Sequence, residues 1–106
     1  MKRRQYIKGS QTGYQVGINI SMTKEGDVFV ASCQALDLTS FGDTFQEAQV
    51  NMREAIHLFL EECQEMGTLD KVLRECGWHK SVRKDKKEMV PPHVVATLSE
   101  SICIPA

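Results

Sequence analysis

A chain of 106 residues, 42% hydrophobic and 25% charged with a net charge of −1, has the size of one globular domain burying roughly two-thirds of its unfolded surface. No apolar run approaches the ~18 residues of a membrane span, and the near-neutral balance excludes a uniformly basic nucleic-acid surface. The charge is unevenly spread: residues 1–42 hold five basic and three acidic side chains, residues 43–65 one and six, and residues 66–106 seven and five.

The opening Met1-Lys2-Arg3-Arg4 has the charge of a signal peptide, but residues 5–15 are polar and contain glycine, with no apolar core behind them. A cytoplasmic protein is expected, with a basic N-terminal segment over 1–13 and a single domain over 14–106. Tyr14, Val16, Ile18, Ile20 and Met22 then alternate with polar or small residues, the period-2 signature of a strand over 14–22 with one buried face. Lys24 to Asp27 supplies a turn, residues 28–33 return as a more continuously apolar strand, and residues 38–41 form a short third one. Strands this close in sequence usually pair, so a three-stranded antiparallel meander is predicted.

Thr44 followed by Glu47 has the spacing of a capping box, in which the threonine hydroxyl accepts from the Glu47 N–H and the carboxylate reaches back to the Thr44 N–H. Gly42, just before it, can take positive φ and suits an abrupt change of direction. From 44 to 66, Phe45, Ala48, Met52, Ala55, Ile56, Phe59 and Cys63 recur at intervals of three and four, one apolar stripe on a helix ~33 Å long. The other side is acidic, and Gly67 is placed to end the helix in a left-handed cap. Thr68 begins a second, short helix with Leu69, Val72, Leu73 and Cys76 as its apolar face, ended by Gly77.

Residues 78–93 are expected to connect, with Lys80, Arg83, Lys84, Lys86 and Lys87 crowded around Asp85 and Glu88, and with Pro91-Pro92 opposing ladder bonding. Trp78 is expected to seal the end of the second helix. Residues 94–98 and 101–104 can supply closing strand segments. The order of strands, helices and strand predicts a two-layer α+β sandwich.

Cys33, Cys63, Cys76 and Cys103 contain no Cys-x-x-Cys pair and are expected as buried or half-buried free thiols of a reducing compartment. A zinc site from Cys63, Cys76, His79 and His93 would match no finger or ribbon spacing, so neither metal nor cofactor is expected. A metal-dependent nuclease needs several carboxylates converging on Mg²⁺; the strand over 14–22 has none, and Asp43 suits the positive end of a helix. His57, His79 and His93 stand in no pattern that nominates a nucleophile, and no enzymatic activity is expected.

The run VFVASCQALDLTSFGDTFQEAQVNMREAIHLFLEE, with Leu36, Gly42, Asp43, Thr44, Glu47, Ala48, Arg53, Glu54 and Ala55 at the characteristic positions, resembles the core of the HicB-like antitoxin family. The following GTLDKVLRECGW is similar to an extension of compact members, so the resemblance spans most of residues 14–78. It implies a truncated ribonuclease H-like fold that binds and masks a small, basic, mRNA-cleaving HicA-type toxin encoded nearby. The helix-turn-helix or ribbon-helix-helix module that many members add for DNA binding has no counterpart after Gly77. Glu47, Glu54, Glu61 and Glu62 are the candidate partner-facing residues. The alternative is an orphan regulatory or nucleic-acid-binding domain acting through Lys80, Arg83, Lys84, Lys86 and Lys87. Unpaired sheet edges lead to the expectation of a homodimer or higher even oligomer, with the segment near Ile102 to Ile104 as its contact.

Overall fold

The computed structural model describes residues 13–82 and 88–105. Strand β1 (Ser21–Glu25) turns through Gly26 and Asp27 into β2 (Val28–Cys33), which turns again into β3 (Leu38–Gly42). The three form an antiparallel sheet in the order β1-β2-β3, with Met22 opposite Ala31 and Ala31 opposite Ser40. Gly26 adopts φ +63° in the two-residue first turn, where the tight reversal favours positive φ.

Alternation decides which face is covered. On β2, Ala31 and Cys33 are buried while Ser32 between them is exposed, and the buried side carries the long helix α1 (Phe45–Met66). Ala48 and Met52 of that helix are fully buried with Ala31, Cys33 and Leu36. Burying a Met or Leu side chain completely stabilises a fold by about 1.5–3 kcal/mol. Leu36 reaches this core from the turn between β2 and β3, where Asp37 takes φ +56°.

Gly67, at φ +73°, ends α1 in the expected left-handed cap. The short helix α2 (Leu69–Glu75) follows and buries Leu73. Thr68 stands at its N-cap position but makes no side-chain cap bond; its hydroxyl lies 3.4 Å from the Cys63 carbonyl, so it closes the helix behind rather than opening the one ahead. Trp78 is buried, its backbone N–H bonded to Leu73 O and its indole N–H donating to the Ala35 carbonyl at 2.7 Å. That bond ties the end of α2 to the turn after β2.

Three expectations change. The first strand is Ser21–Glu25, not 14–22, because β2 ends at Cys33, opposite the residues around Ser21, and residues 13–20 run past it with nothing in β2 to bond. The connection over 78–93 contains a small antiparallel ribbon, β4 (His79–Lys80) with β5 (Met89–Val90), stopped by Pro91 and Pro92. The closing strands over 94–98 and 101–104 are absent: residues 91–105 belong to no helix or strand. The architecture is thus α+β: a three-stranded antiparallel sheet, a long helix on one face, a short helix and a second small sheet.

Candidate functional site

The best-defined corner of the molecule sets the direction of α1. Gly42 is buried, and its φ is not positive; among the described residues the left-handed glycines are Gly26, Gly67 and Gly77. Its role is close approach, since a Cβ there would stand 2.6 Å from the Ala48 backbone nitrogen and 2.9 Å from Glu47. The Thr44 hydroxyl accepts from the Glu47 N–H at 3.0 Å, as the capping spacing predicts. The Glu47 carboxylate reaches one residue further back than expected, accepting from the Asp43 N–H at 2.6 Å. Asn51, one turn on, donates to the Phe41 carbonyl at 2.8 Å. Two bonds therefore close the start of α1, the Asn51–Phe41 bond ties it to β3, and the outer face of α1 is held in a fixed direction.

That outer face is acidic. Glu54, Glu61 and Glu62 are exposed, and among the described residues none of them forms an ion pair; the pair Lys71–Glu75 lies on α2. Glu47 is exposed as well, although its carboxylate is engaged in the cap. The positions 47, 54, 61 and 65 recur at helical spacing, and two exposed aliphatic side chains fill the intervals: Val50, 44% exposed, and Leu58, 61% exposed. Glu62 stands beside this strip. Val50 and Leu58 were not singled out as partner-facing residues; the signal for them was their position outside the apolar stripe, between the glutamates. The strip thus combines charge with two apolar contact points, the composition of a surface that can be desolvated by a partner.

The alternative basic site is divided. Lys80 is exposed on β4, while Arg83, Lys84, Lys86 and Lys87 lie outside the described residues. His57 is on α1, His79 on β4 and His93 beyond Pro92. Among the described residues no three His, Cys, Asp or Glu side chains are gathered to hold a metal ion, and no helix is long and apolar enough to cross a membrane.

The cysteines are free: Cys33 and Cys63 are buried, Cys76 is half-buried, and Cys103, against the expectation of burial, is exposed. Burial first, then the charges of Asp37 and Glu75 and the neighbouring Cys33 and Cys63, raise the Cys76 thiol above its ordinary value. That shift disfavours the nucleophilic thiolate.

No family model, curated protein or solved structure matches the chain.

Proposed function

We propose that this chain is a HicB-like antitoxin domain, cytoplasmic and non-enzymatic, that binds a small basic HicA-type ribonuclease and masks its active site. The observation that supports the reading best is the outer strip of α1, where Glu54, Glu61 and Glu62 stand exposed without cationic partners among the described residues. Such a field accelerates encounter with a basic protein, and Val50 and Leu58 offer the apolar contact that long-range charge does not supply. The antiparallel sheet with one long covering helix is compatible with the truncated ribonuclease H-like fold that the resemblance implies.

The test is co-expression with the product of a small basic reading frame adjacent to this one. Growth rescue together with a stable complex is expected. Glu54→Lys with Glu61→Lys should slow association and alter its salt dependence while leaving thermal stability nearly unchanged. The reading fails if the two products neither bind nor affect one another, or if the chain instead binds RNA with the steep salt dependence of phosphate contacts.

A further inference from the structure

We draw no further inference here: the strongest candidate, the open groove between residues 92–96 and the chain at Asn19 and Ser21 where β1 begins, carries nothing because nothing in the structure shows what covers it.

Discussion

The corner from β3 into α1 and the arm over 93–105 both carry a clear local pattern, and their fates differ. At the corner, Thr44, Glu47, Asn51 and Gly42 find their complements within ten residues of chain. In the arm, Val94, Ala96, Leu98, Ile102 and Ile104 alternate with only Glu100 interrupting the series, yet all five stay exposed and outside any helix or strand. A periodic pattern states what surface a segment offers, while the complement must come from elsewhere, and only the short-range complement can be foreseen from neighbours in sequence.

Mutations sharpen that contrast. The largest loss should follow Met52→Ala, because Met52 is fully buried beneath α1: about 2–5 kcal/mol, read from denaturant midpoints. Gly42→Ala should come next, at about 1–3 kcal/mol, since the new methyl meets helix backbone rather than a movable side chain. Thr44→Ala should remove about 1 kcal/mol with its cap bond. Leu98→Ala, at a side chain 79% exposed, should stay within about 0.5 kcal/mol of the parent. If Leu98 matched Met52, the arm would belong to the protomer core and the comparison would collapse.

The smallest effect concerns Cys76. Folding raises its pKa, so the folded chain holds the thiol proton more tightly than the unfolded chain does. Stability is then unaffected below the ordinary value of 9.0 and falls as pH rises above it through the folded value. Cys76→Ser should flatten the alkaline end of a pH–stability curve and leave the neutral region of that curve without this slope.

The meander, both helices and their glycine ends were legible because each rests on contacts between near neighbours or on a pronounced period. The apolar stripe of α1 was legible too, but its depth was not: Phe59 is only half-buried and Phe45 is 46% exposed, while Ala48 and Met52 sit at the centre. Depth depends on how the helix crosses the sheet, which Gly42 and Asn51 fix through space. The length of the first strand was not legible either, because where a ladder stops is decided by the partner strand, here by the turn after Cys33. For the candidate site, the glutamates were visible as a charge excess. Val50 and Leu58 gained meaning only when α1 was oriented and they lay on its outer side.

Two side-chain clasps make a nested arrangement. The Tyr14 hydroxyl accepts from the Met89 N–H at 2.7 Å, across 75 positions, and encloses the Trp78–Ala35 bond, which spans 43. The inner clasp is buried and the outer one only partly so. Closing a loop costs entropy that grows slowly with its length, and once the inner clasp has formed, the outer one has little free chain left to gather. The protein should therefore open from the outside inward. Native-state hydrogen exchange would record the Met89 amide turning over through local opening, while the Ala48 amide waits for global unfolding of the sheet and helix it joins.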